Sequence, residues 1–99
     1  MDMKEILNRL GYVRNQANLS ARELSLRIGM SSQYIAQVES GRIVLTMEKL
    51  LKILDACNFS LERFFAKNIQ DWNLDNELYG LIEKLPTAKK QHMIEFIRD

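Results

Sequence analysis

The amino-acid sequence predicts an all-α protein. Its 99 residues include only four glycines and one proline, so few residues interrupt helices. Apolar residues recur at intervals of three and four along the chain, which is the spacing of one face of an α-helix. Residues that commonly begin or end helices separate these stretches. We therefore expect helices joined by short connections. The sequence contains no internal repeat.

The first two predicted helices have clear boundaries. Residues 3–16 carry one apolar stripe, and a second helix begins after Ser20. Ser20 and Glu23 have the spacing of a capping box, in which each side chain bonds the backbone N–H of the other residue. Glycine and asparagine accept the left-handed conformation that often ends a helix. The residues that we expect in this role are Gly29 and Asn58, while Ser40 and Gly41 are expected to end another helix.

Three more helices follow in the first two-thirds of the chain. Ser31 and Ser32 are placed to cap a helix that runs to about Glu39, while Thr46 and Ser60 are placed to cap the next two. Apolar spacing predicts the core side of the helix after Thr46. Its expected core residues are Leu50, Leu51, Ile53 and Leu54, with Cys57 packed nearby.

The remaining residues predict a helical hairpin. A polar break at 67–73 contains Trp72, and a later break at Pro86 separates two apolar stripes. Thr87 is placed to cap the last helix, on which His92 is expected at the surface. We expect a domain at residues 1–68 and the hairpin at residues 69–99. The hairpin exposes more apolar surface than its two helices can cover, so it packs on its own domain, a second subunit or a partner. Of these we favour a second subunit, which makes the hairpin a candidate dimerisation element. Trp72 either anchors it on the domain, which we favour, or lies in a dimer interface.

Composition excludes several classes of protein. One cysteine forms no internal disulfide, and one cysteine with one histidine builds no zinc site. The N-terminus is acidic where a signal peptide is basic, and no apolar run approaches the roughly 18 residues of a membrane span. No catalytic constellation stands out. We expect a cytoplasmic protein without metal, cofactor, membrane association or enzymatic activity.

Residues 20–41 predict a helix-turn-helix. A capped helix, a glycine-containing turn and a second helix with few charges fit this motif. The second helix of such a motif lies in the major groove of DNA. Short or planar hydrogen-bonding side chains near its N-terminus reach base edges, and glutamine forms bidentate bonds to adenine. The side chains of this kind are those of Ser31, Ser32, Gln33 and Gln37.

A family resemblance covers residues 3–67. The stretches LSARELSLRIGMSSQYIAQVESGR and TMEKLLKILDACNFSLERFF resemble a lambda-repressor-like, Cro-type helix-turn-helix domain of the XRE family of transcriptional regulators. The resemblance implies five helices in the family order. It also implies base contacts from the recognition helix, by Ser32, Gln33 and Gln37. In an isolated helix, the two glutamines would instead be ordinary solvent-exposed residues.

The resemblance implies further roles outside the base-reading positions. Ser31, Tyr34 and Arg42 fall where family members touch the DNA backbone, although Tyr34 could instead pack on its own domain. Arg14 and Glu39 match a structural ion pair between the first helix and the end of the third. We expect Arg22, at the start of the motif, to contact phosphate, with a solvated surface charge as the alternative.

Three residues depart from the family pattern. Ala21 replaces a glutamine that helps to hold phosphate in phage relatives, and Ile43 and Val44 are apolar where many relatives are polar. These changes favour weaker binding, an unusual operator or a protein partner at this loop. Ten basic and seven acidic residues give residues 1–68 a charge of +3, and four against six give residues 69–99 a charge of −2. The domain is therefore weakly basic.

These observations predict a sequence-specific transcriptional regulator. We expect a repressor that binds double-stranded DNA as a homodimer on a palindromic operator, because paired half-sites require two-fold symmetry. The alternative is a protein-interaction module, such as an antitoxin or an anti-regulator. Its partner would bind the C-terminal hairpin or the surface of Ile43 and Val44.

Overall fold

The structure, a computed structural model, describes residues 1–98. Within them, α-helices are the only regular secondary structure. The predicted all-α class is confirmed. The helices form two compact units, Met1–Ile69 and one that begins at Gln70. The helices are α1 (Met3–Gln16), α2 (Ala21–Arg27), α3 (Tyr34–Glu39), α4 (Met47–Ala56), α5 (Leu61–Phe64), α6 (Trp72–Glu83) and α7 (Thr87–Arg98).

Side-chain caps begin four helices of the first unit. Asp2, Ser20, Thr46 and Ser60 each accept a hydrogen bond from the backbone N–H three residues later. The predicted capping box of α2 is confirmed, because the Ser20 backbone N–H donates to Glu23 at 3.1 Å. Two hydrogen bonds lower the pKa of the Glu23 carboxyl. The bond from the Ser20 backbone has the larger effect, and the bond from the Ser20 hydroxyl has the smaller.

Left-handed residues end four helices in the same unit. Each has a positive φ, as expected for Gly29 and Asn58. The backbone N–H of each left-handed residue and the N–H of the residue after it donate to carbonyls of the last helical turn. After α2, for example, Gly29 N–H donates to Leu26 at 3.0 Å and Met30 N–H donates to Ser25 at 2.9 Å. The left-handed residues are Asn18, Gly29, Gly41 and Asn58.

One apolar core fills the first unit and draws on α1 to α5. Ile69 is 7% exposed and belongs to this core, so the first unit ends one residue later than the expected boundary at residue 68. Cys57 packs against the core, as expected, and is half-buried. The core residues are Leu10, Val13, Leu19, Leu24, Tyr34, Ile35, Val38, Leu50, Ile53, Leu54, Phe64 and Ile69.

A buried arginine, which the sequence reasoning missed, joins α1 to the end of α5. Arg9 is 9% exposed, and its Nη1 donates to the carbonyl oxygens of Phe64 at 2.7 Å and Ala66 at 2.5 Å. The last carbonyls of a helix have no partner within the helix. Arg9 supplies that partner, and its charge opposes the negative end of the helix dipole.

Two predictions about α3 and α4 are wrong. Neither Ser31 nor Ser32 caps α3, because the N-cap is Gln33, whose side chain makes no capping bond. A turn precedes the helix instead, with Tyr34 N–H donating to the Ser31 carbonyl at 3.1 Å. Leu51 is 46% exposed rather than in the core, because it lies at the outer edge of the stripe that faces inward.

The second unit contains α6 and α7. Trp72 is the first residue of α6 rather than part of the polar break, and Thr87 is the first residue of α7 rather than its cap. His92 is exposed, as expected. No described residue of α6 or α7 is buried. The hairpin therefore has no core of its own, and both roles expected for Trp72 stay predictions.

Candidate nucleic-acid interface

A sharp turn places α3 directly after α2. Gly29 has a φ of +75°, and no heavy atom beyond its two chain neighbours lies within 4 Å of where its Cβ would be. The backbone conformation, rather than crowding, therefore calls for glycine at this position. The short connection from Arg27 to Tyr34 gives α2 and α3 the order and spacing of the predicted helix-turn-helix.

A buried hydroxyl group fixes α3 against α2. The Ser25 side chain is fully buried. Its Oγ donates to the Ala21 carbonyl at 2.7 Å and accepts from the Ile35 N–H at 2.9 Å. The second bond satisfies an N–H of the first turn of α3, where no side chain caps the helix. Sequence reasoning missed Ser25, although its position one turn before the inward-facing Ile28 was a signal.

An ion pair holds the other end of α3 against α1. The Arg14 Nε lies 2.8 Å from the Glu39 Oε1, and the Arg14 Nη2 lies 3.3 Å from the Oε2. Arg14 Nη1 also donates to the Leu19 carbonyl at 3.1 Å. Both side chains are about one-fifth exposed, at 19% and 22%. The predicted structural ion pair is confirmed, and it makes Arg14 a support of the recognition helix.

The exposed side of α3 and the loop after it form a shallow hollow of about 330 Å³. The Gln37 carbonyl accepts from the N–H groups of Arg42 at 2.9 Å and Ile43 at 3.2 Å. These bonds fold the loop back toward the helix and bring Arg42 beside Gln37. The residues that line the hollow are Gln33, Ala36, Gln37, Ser40 and Arg42.

The other predicted contact residues lie outside this hollow. Ser31 and Arg22 are exposed, and Ser32 is half-buried. Within residues 1–98, neither the Arg22 nor the Arg42 guanidinium takes part in an ion pair. Both cations are therefore available to an anionic partner such as phosphate.

Tyr34 lies in the core rather than on the exposed side of α3. Its side chain is 6% exposed, because residue 34 shares the inner side of α3 with Ile35 and Val38. Burial raises the pKa of its phenol. The expected contact with the DNA backbone is thus corrected, and Tyr34 packs on its own domain.

The described residues hold no group of histidine, cysteine, aspartate and glutamate side chains that could bind a metal ion. The half-buried Cys57 is a free thiol, and burial raises its pKa. None of the helices within residues 1–98 combines the length and the apolar character needed to cross a membrane.

A capped helix, a glycine turn and a second helix that presents two glutamines beside an arginine define a helix-turn-helix DNA-binding domain. Residues 10–64, more than half of the chain, match the family model HTH_3, described as Helix-turn-helix. The chain belongs to this family of Cro- and lambda-repressor-like (XRE) DNA-binding regulators. No curated protein and no solved structure was found to match the chain.

Proposed function

We propose that the protein is a transcriptional repressor that reads a palindromic operator as a homodimer. The observation that carries the proposal is the hollow that brings Gln33, Gln37 and Arg42 together. Two planar amide groups are suited to base edges, and a guanidinium is suited to phosphate. A repressor acts simply by covering the DNA that transcription requires.

Base reading is assigned to the exposed side of α3. Gln33 and Gln37 are one helical turn apart, so both side chains face the floor of the major groove when α3 enters it. An amide of glutamine donates to and accepts from adenine at the same time. Ser32, just before the helix, reaches the edge of the same groove.

Phosphate contacts are assigned to residues on either side of α3. Arg42 follows the helix, and Arg22 lies in the first turn of α2, with Ser31 in the turn between the helices. Contacts of this kind fix the position of the protein on the duplex without reading sequence. Residues 1–68 carry a charge of only +3, so one copy binds DNA weakly. Two copies on half-sites about 34 Å apart supply the remaining affinity and specificity.

Alanine substitutions separate base reading from phosphate binding. We expect Gln33→Ala to lose about 1–3 kcal/mol on the preferred site and to relax specificity there, and Arg42→Ala to weaken binding to all sequences evenly. Mobility shift on operator and unrelated duplexes measures both effects. Gln16→Ala, an exposed glutamine at the end of α1, is the control and should bind normally. Wild-type binding by both variants would contradict the docking.

A protein-interaction module is the second candidate function. Val44 is 80% exposed, and it borders an apolar groove of about 130 Å³ close to the proposed DNA-binding surface. Selection from random DNA at physiological salt distinguishes the two candidates. Enrichment of one sequence supports the repressor, whereas no enrichment together with a co-purifying protein supports the module. The groove is lined by Met3, Leu7, Gly41, Ile43, Val44 and Leu45.

A further inference from the structure

We infer that the second unit pairs two copies of this chain, with α6 of one copy packed against α7 of the other. The inference deepens the proposed function, because it assigns the surface that joins the two DNA-reading domains. It rests on three observations about the described residues of α6 and α7, namely their uncovered apolar side chains, an apolar hollow and their opposite charges.

Large apolar side chains of both helices are uncovered. Leu74, Leu78 and Leu81 form one stripe on α6, with exposures of 66%, 49% and 58%. On α7, Phe96 and Ile97 are 81% and 70% exposed. The two helices have 12 residues each, and isolated helices of this length are marginal in water. The hairpin therefore needs an apolar surface to cover it.

The hairpin also contains an apolar hollow of about 190 Å³. Among the described residues, Lys90 is the one charged residue that lines it. The methylene stem of a lysine can cover apolar surface while its amine stays in solvent. The hollow can receive a large apolar side chain, and the exposed residues of a second hairpin supply several. The lining residues are Ile82, Lys90, Met93, Ile94 and Ile97.

Charge favours a second copy of the chain as the occupant. α6 contains three acidic residues and no basic one, whereas α7 contains three basic residues and one acidic residue. No ion pair among residues 1–98 joins the two helices. Packing α6 on the α7 of a second copy places opposite charges together, whereas pairing like helices places like charges together. The residues are Asp75, Glu77 and Glu83 on α6, and Lys89, Lys90, Arg98 and Glu95 on α7.

Sedimentation equilibrium of the full chain tests the apolar contact. We expect a dimer at micromolar concentration, and Leu78→Glu should raise its dissociation constant about 30-fold or more. The matched control is Leu51→Glu on α4, because Leu51 is 46% exposed and Leu78 is 49% exposed. It should dimerise like the wild type. A monomeric wild type, or equal effects of the two substitutions, would overturn the inference.

Charge reversal tests which helices meet. One variant carries Asp75→Lys, Glu77→Lys and Glu83→Lys, and the other carries Lys89→Glu, Lys90→Glu and Arg98→Glu. Each variant alone should dimerise at least about tenfold more weakly than the wild type. A mixture should form a heterodimer, because each α6 then meets an α7 of opposite charge. Undiminished self-association of either variant, or a mixture without heterodimer, would overturn the pairing of α6 with α7.

The two proposals fail in different ways. If the wild type is monomeric but still enriches one DNA sequence, pairing through the hairpin is wrong and DNA reading stands. If the protein dimerises through α6 and α7 but enriches no sequence, the pairing stands and the proposed repressor function is wrong. Circular dichroism of every variant checks that the helices are retained.

Discussion

One hydroxyl group connects the two helices of the motif. Ser25 Oγ accepts from the N–H of Ile35, which would otherwise be a buried donor without a partner at the start of α3. A buried backbone N–H that loses its acceptor costs more than an ordinary hydrogen bond contributes. The orientation of α3 therefore depends on a serine that is itself fully buried.

We expect Ser25→Ala to destabilise the first unit by about 1–3 kcal/mol, because it leaves the Ile35 N–H unpaired in the core. Urea denaturation followed by circular dichroism measures the loss. Ser31→Ala is the matched control, since Ser31 is exposed, and it should change stability by less than about 0.5 kcal/mol. Equal stabilities of the two variants would contradict the role assigned to Ser25.

Arg9 has a similar role at the other side of the unit. Its guanidinium donates hydrogen bonds to two carbonyls at the end of α5, and the side chain as a whole is buried. The sequence shows Arg9 only as a charged residue on an amphipathic helix. Its two acceptors are 55 and 57 residues away in the chain, so no local pattern indicates the bond.

At the scale of the elements, the helix ends account for much of the local order. Four side-chain caps and four left-handed ends divide the first 65 residues into helices that join through very short turns. A cap or a left-handed end depends only on residues a few positions apart. Most of these helix ends could therefore be predicted from the sequence. The beginning of α3 could not, because a backbone turn replaces the side-chain cap there.

Two glycines should respond to alanine in opposite directions. Gly29→Ala places a Cβ at a φ of +75° without steric contact, so it should cost about 1–2 kcal/mol from backbone strain alone. Gly80 lies inside α6 with nothing within 4 Å of a Cβ. Gly80→Ala should therefore stabilise α6 by about 0.5–1 kcal/mol. Thermal denaturation followed by far-ultraviolet circular dichroism compares them, and changes of the same sign would contradict this argument.

The Arg14–Glu39 ion pair joins α1 to the end of α3. We expect Glu39→Ala to destabilise the protein by about 2 kcal/mol, less than for a fully buried pair because both side chains are partly exposed. The matched control is Glu48→Ala, since the Glu48–Lys52 pair is exposed and 3.8 Å long. The control should lose less than about 1 kcal/mol. Urea denaturation at low and high salt measures both, and equal losses would show that burial adds nothing to the Arg14–Glu39 pair.

At the scale of the whole molecule, the two units differ in what stabilises them. The first has a core of twelve buried apolar residues, whereas the described helices of the second have none. The net charge of +1 is the sum of a weakly basic first domain, at residues 1–68, and a weakly acidic hairpin, at residues 69–99. That charge favours modest affinity of a single copy, so the proposed pairing would contribute to specific binding.

Hydrogen exchange should separate the two units. In dilute protein we expect the amides of α6 and α7 to exchange at least about tenfold faster than those of α1 and α4, because no core protects the hairpin. Raising the protein concentration should slow exchange in α6 and α7 only. Equal protection of all four helices in dilute protein would show that the hairpin is stable without a partner.

Local signals in the sequence by themselves determined the all-α class, most helix boundaries, the capping box, the left-handed ends and the motif at residues 20–41. Caps, turns and apolar spacing are encoded over one or two helical turns, which is why they were readable. The Arg14–Glu39 pair was also expected, but from the family resemblance rather than from any local pattern.

Only the tertiary structure decided which side chains are buried and which are left for a partner. Tyr34 entered the core and Leu51 did not, because neighbouring helices, rather than the periodicity of one helix, set the limits of each buried face. Ser25 and Arg9 found partners 10 or more residues away. The grouping of Gln33, Gln37 and Arg42 required the loop after α3 to fold back onto the Gln37 carbonyl. Contacts between distant residues depend on packing in three dimensions, and no local pattern specifies them.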